Sequence, residues 1–165
     1  MENSVTRQRF LLLNAILAFL ALPATVAFVV PLTFFRPDRA RPFSAWGLPL
    51  LATGCLVLLA CVREFYVSGR GTLAPWAPPR HLVQQGLYRY SRNPMYIGVL
   101  LIVAGWALGF HSRALWTYTL GLGVAFHLRI ILGEEPWLAR THGEAWTSYR
   151  TAVPRWLRVR RQPHL

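Results

Sequence analysis

Hydrophobic residues in this chain run in long unbroken blocks, and polar residues collect between the blocks instead of recurring at amphipathic spacing. Residues 10–32 contain no charge, and at about 1.5 Å of helical rise per residue they are long enough to cross a hydrocarbon core of about 30 Å. They form the first expected span. Arg7 and Arg9 ahead of the block and the small residues Thr25-Val26-Ala27 within it also fit a cleavable signal peptide, but apolar character continues through Phe34 and Phe35, which favours a span. After the polar link 36–42, residues 43–62 repeat the charge-free pattern as a second span. Residues 95–110 form a third, short unless Tyr96 and Trp106 sit toward the headgroups, and residues 114–132 a fourth.

The link His111-Ser112-Arg113 is so short that the last two spans must return as an antiparallel hairpin. Gly98, Ala104, Gly105, Gly121 and Gly123 are the small residues expected to let those two backbones approach. Residues 134–150 change to an amphipathic pattern, with Trp137, Leu138, Thr141, Ala145 and Tyr149 on one face, and predict a helix lying in the membrane interface. A basic tail over 153–165 follows, suited to anionic headgroups. Between the second and third spans, residues 70–96 are too broken by Gly and Pro to be regular and predict a long functional loop. The whole reads as one all-α integral membrane domain over 1–165, a bundle of four transmembrane helices plus a C-terminal interfacial helix.

Composition changes this picture in two places. The net charge is +12, and every basic residue is Arg. These residues fall between and after the apolar blocks and not on one soluble face, which excludes nucleic acid as the expected partner. With both termini inside, thirteen Arg residues lie on the cytoplasmic side (two N-terminal, five in the central loop, six C-terminal) against four outside, Arg129 remaining in the fourth span. That distribution predicts that both termini and the central loop are cytoplasmic, and the expected location is a bacterial inner membrane. Cys55 and Cys61 share one apolar block at a spacing that favours neither a disulfide nor a metal site, and no metal is expected.

The chemistry concentrates in two stretches. The first runs through Leu82-Val83, Gly86-Leu87-Tyr88 and Arg92-Asn93-Pro94-Met95-Tyr96, and the second begins at Glu134-Glu135 and continues through Gly143, Trp146, Tyr149 and Val153-Pro154. Each has a plain structural reading as anchors, interfacial aromatics and a helix start. In this order, over roughly residues 71 to 157, they resemble the isoprenylcysteine carboxyl methyltransferase and phospholipid methyltransferase superfamily of integral membrane enzymes. Asn93 stands where that pattern commonly has His, and Trp146 where it commonly has Tyr. Asn still donates and accepts hydrogen bonds, so a binding role survives the change more easily than one that needs an imidazole.

The resemblance implies S-adenosylmethionine as cofactor, held by His81, Leu82, Val83, Tyr88, Asn93, Pro94, Met95 and Tyr96, with Glu134 facing its amino or ribose groups. A helix start after Asn93 offers N–H groups to a carboxylate, and aromatic faces suit adenine and a sulfonium cation. Arg129 is the candidate to hold a carboxylate acceptor through its planar guanidinium, and Glu135 the candidate base for an amine acceptor. The expected activity is methyl transfer to a lipophilic small molecule or lipid reached from the bilayer. Carboxyl, amine and thiol acceptors all satisfy the pattern, as do a single chain and a homo-oligomer. The competing readings are a nicotinamide-dependent membrane reductase related to the sterol reductases, whose chains are much longer, and a non-catalytic membrane partner protein.

Overall fold

A computed structural model describes residues 20–35, 42–67 and 82–157. Among these residues every regular element is helical. Helix α1 is a π-helical run, Leu20–Val29, continued by the α-helical Val30–Phe34, and α2 is Gly47–Val67. A 3-10 turn, Gly86–Arg89, leads into α3, Pro94–Gly109. Helix α4, Arg113–Arg129, passes through a π-helical turn, Ile130–Glu134, directly into α5, Glu135–Ala152. Residues 10–19 of the first expected span, positions 70–81 of the 70–96 loop and positions 158–165 of the tail lie outside the described residues.

Two helical stretches, Gly47–Glu64 and the continuous Arg113–Ala152, are long and apolar enough to cross a membrane by length and composition. Pro23–Phe34 and Pro94–Gly109 are shorter apolar helices. Large apolar side chains face outward: Leu56 and Leu59 on α2, and Trp116, Leu120, Val124 and Leu128 at four-residue intervals along α4. Such outward stripes suit hydrocarbon as the surrounding medium. Helix α3, apolar on all sides, sits at the centre, packed against α1, α2 and α4. Val99, Ile102 and Val103 of α3 form the core with Ala27 and Leu58.

The expected boundaries shift at three places. Helix α2 begins at Gly47, not at residue 43, because Ser44 is held outside the helix by its N–H bond to the Gly109 carbonyl, 2.8 Å. It runs past Arg63 and Glu64 to Val67, since charges in a last turn can reach water without ending the helix. The fourth span and the interfacial helix, expected as separate elements, are one continuous helical run joined by the π-turn.

The glycine expectation is corrected as well. Gly98 and Gly105 do not bring α3 against α4; they bring it against α2. A Cβ built on Gly54 would lie 2.7 Å from the Gly98 carbonyl oxygen, and one on Gly47 would lie 2.5 Å from that of Gly105. Gly121 has no neighbour within 4 Å of such a Cβ among the described residues. Phe43 occupies the place where Gly109 has no side chain, and joins an aromatic cluster with Trp106 and Phe110. Across the bundle, Pro31 brings no N–H to the turn before it, and there Trp106 Nε1 donates to the Ala27 carbonyl at 3.0 Å and Tyr118 Oη to that of Val26 at 3.1 Å.

The face expected for residues 134–150 also divides. Gly143 adopts φ 50°, ψ −117° inside α5, a conformation that favours glycine, and the resulting kink re-aims the second half of the helix. Trp146 and Tyr149 are buried with Val153 against Leu82 and Leu138, whereas Trp137, Thr141 and Ala145 are exposed.

Candidate functional site

The site lies at the end of the bundle where α3 begins, α4 ends and α5 starts. Its floor is the chain leading into α3. Val83 and Tyr88 are buried beside Cys61 of α2, and Leu82 packs on Trp146, Tyr149 and Val153. Tyr149 Oη donates to the Tyr88 carbonyl at 2.7 Å, and burial raises the Tyr149 phenol above its usual range, keeping it a donor. Gly86 turns this segment at φ 58°, with Glu64 so close that a Cβ would lie 2.7 Å from its Cγ. Leu82, Val83 and Tyr88, expected as cofactor contacts, thus anchor the loop to the bundle. His81 lies outside the described residues.

Pro94 opens α3, where its missing N–H costs nothing, and Met95 packs inward. Asn93 precedes it without capping the helix through its side chain; its Nδ2 donates instead to the Arg155 carbonyl at 3.0 Å. One turn along, the Tyr96 ring lies 4.3 Å from the Phe126 ring, centroid to centroid, and its hydroxyl donates to Glu134 Oε1. Arg129 Nε donates to the same oxygen at 2.9 Å and to Tyr96 Oη at 3.1 Å. Glu134 Oε2 and both Arg129 Nη nitrogens bond no described residue.

Arg129 and Glu134 are five residues apart, a separation that diverges on an α-helix. The π-turn between them has the wider winding that returns the two side chains to one side.

Glu135 faces a different way. Arg155 grips both of its oxygens, Nε to Oε1 at 2.7 Å and Nη2 to Oε2 at 2.9 Å, and Arg92 Nη1 reaches Oε1 at 2.9 Å. Burial alone would raise this carboxyl, but the Arg155 hydrogen bonds and the charges of Arg92 and Arg155 hold it below the usual carboxylate range. The Arg92 guanidinium also lies 5.4 Å over the Trp146 ring. Arg155 and Trp146 were not singled out for this pairing in the sequence. Only the bidentate habit of Arg toward carboxylates hints at the first.

Against these residues, the family comparison is decisive: the phospholipid methyltransferase profile matches residues 43–145, more than half of the chain and most of the site. The chain belongs to the phospholipid methyltransferase family. It falls within the superfamily of isoprenylcysteine carboxyl and phospholipid methyltransferases, and is thereby a membrane methyltransferase. No curated protein and no solved structure matches the chain.

Phospholipid methyltransferases generally use S-adenosylmethionine. The residues present fit such a group. Glu134 keeps one oxygen unbonded for an amine or hydroxyl donor while its other oxygen is pinned. The first turn of α3 has no side-chain cap, leaving its N–H groups open to a carboxylate. Two buried donors nearby, Arg92 Nε and Trp146 Nε1, have no acceptor among the described residues. Among the described residues no group of three His, Cys, Asp or Glu side chains could hold a metal ion.

Proposed function

We propose that this phospholipid methyltransferase relative transfers a methyl group from S-adenosylmethionine to a lipophilic acceptor reached from the bilayer. The observation that carries the reading is the Tyr96–Arg129–Glu134 network, which joins the uncapped start of α3 to a carboxylate with one free oxygen. In this reading the protein is a four-span bundle of the bacterial inner membrane, with the site on the Arg-rich cytoplasmic side.

The cofactor, when bound, supplies an activated methyl on a sulfonium, so the protein has to bind, align and exclude water. Glu134 Oε2 accepts from the amino or ribose groups, and Tyr96 offers its ring face. Asn93, Pro94 and Met95 frame the helix start whose N–H groups face a carboxylate. His81, Leu82, Val83 and Tyr88 are proposed as further cofactor contacts, the last three on a segment anchored to the bundle. Arg129 is tied by Nε alone, and its free Nη pair is the group to orient a carboxylate or phosphate on the acceptor. Glu135 would have to release two arginines to act as a base, so its proposed part is to clamp the loop to α5.

The test is calorimetric binding of S-adenosylmethionine and S-adenosylhomocysteine to detergent-purified protein, with Tyr96→Ala and Glu134→Gln alongside. Binding by the wild type that both substitutions abolish supports the reading. A folded wild type that binds neither compound removes it.

A further inference from the structure

The chain after α5 folds back as a short strap, residues 153–156, across the end of the bundle. Its two middle carbonyls are both taken by the segment that starts α3. The Arg92 N–H donates to the Pro154 carbonyl at 2.9 Å, and Asn93 Nδ2 and Ser91 Oγ donate to that of Arg155 at 3.0 and 3.3 Å. Ser91 is fully buried and also accepts from the Asn93 N–H at 3.1 Å. The Arg155 side chain closes on Glu135 at the start of α5, and Trp156 Nε1 donates to His127 Nδ1 of α4 at 3.3 Å. Val153 at the root of the strap is buried with Trp146 and Tyr149.

The strap therefore touches three elements: the start of α3, the end of α4 and the start of α5. The first two carry Tyr96 and Arg129, and Glu134 closes the π-turn immediately before the third. A segment bonded to all of them fixes their relative positions: its carbonyls hold the start of α3, the Arg155 side chain the start of α5 and the Trp156 side chain the end of α4. We infer that Arg155 and Asn93 are positioning residues, which act through the strap to hold the cofactor-binding network in register. Asn93 spends its side-chain amide on the strap, a use that differs from the direct cofactor contact expected from its place in the motif. The inference rests on the cofactor reading proposed above.

Two readouts test it in the full-length, detergent-purified chain with Arg155→Ala, Arg155→Lys and Asn93→Asp. The first is hydrogen–deuterium exchange. If the strap positions the network, each variant raises exchange beyond the strap, in residues 91–97 and 130–136. An increase confined to residues 153–157 overturns the inference. The second is affinity for S-adenosylhomocysteine. Arg155→Ala is expected to weaken it about tenfold, with the rise appearing in KM for the methyl donor more than in kcat. Arg155→Lys, which keeps the charge and loses the fork, recovers part of the loss. Asn93→Asp replaces an N–H donor with an oxygen facing the Arg155 carbonyl, at nearly constant volume, and guards against a folding defect in the larger truncation. Unchanged affinity in all three variants also overturns the inference. A wild type that fails to bind overturns the proposed cofactor instead, and the strap is then decided by the exchange pattern alone.

Discussion

The hydroxyl of Tyr96 in the first turns of α3 donates to the carboxylate of Glu134, which the π-turn between α4 and α5 presents to it. The bond separates two contributions of the tyrosine, because the ring rests on Phe126 independently of the hydroxyl. Tyr96→Phe keeps the ring and leaves Arg129 to hold Glu134. Affinity for S-adenosylhomocysteine should fall by about fivefold, ~1 kcal/mol, whereas Glu134→Gln, which removes the charge, should cost ~2–3 kcal/mol. Calorimetry on the two variants checks the order, and an equal loss would mean that the hydroxyl and the charge are not separable.

Glu135 sits between Arg92 and Arg155, and the Arg92 side chain is only 9% exposed. Removing the carboxylate leaves a buried guanidinium without its counter-charge, so Glu135→Gln should destabilise the fold by ~3 kcal/mol. Arg92→Met in the same chain should recover a large part of that. Denaturant unfolding in mixed micelles measures both.

The same carboxylate gives the stability a pH dependence. Its value in the folded protein is depressed, so its contribution is complete above the ordinary carboxylate range of about 4.3 and is lost as pH falls through the lower folded value. Wild-type stability should decline from about pH 5 downward, and Glu135→Gln should flatten that slope. An unchanged slope in the variant would show that the ion pair does not control it.

Glycines of similar appearance should differ sharply. Gly54→Ala pushes a methyl to 2.7 Å from the Gly98 carbonyl oxygen, where backbone must move, and is expected to cost about 1–3 kcal/mol. Gly121→Ala meets no described residue within 4 Å and should be neutral or stabilising by up to about 1 kcal/mol. Micellar unfolding of the pair checks the contrast.

Trp106 and Tyr118 donate to carbonyls in the turn that Pro31 leaves short of an N–H. Trp106→Phe should cost ~1 kcal/mol beyond its change in packing. Pro31→Ala supplies a backbone donor there, and the double variant should lose less than Trp106→Phe alone, by the same unfolding measurement.

Sequence by itself determined the class of this protein. Long charge-free blocks can satisfy their backbone in lipid only as helices, whereas the central place of α3 among them came from packing. The order of Leu82-Val83, Gly-x-Tyr, Asn-Pro-x-Tyr and Glu-Glu marked the family, because these residues sit in fixed places along the chain. Tertiary structure alone decided which side chains meet. Gly98 and Gly105 carry no mark of the helix they face, so α2 as their partner emerged only from packing. The adjacent Glu134 and Glu135 read as a pair, yet neighbours on a helix point about 100° apart. One turned to Tyr96 and Arg129, the other to Arg92 and Arg155. The π-turn that aligned Arg129 with Glu134 and the strap that reached Asn93 depend on contacts dozens of residues away, and no local periodicity encodes them.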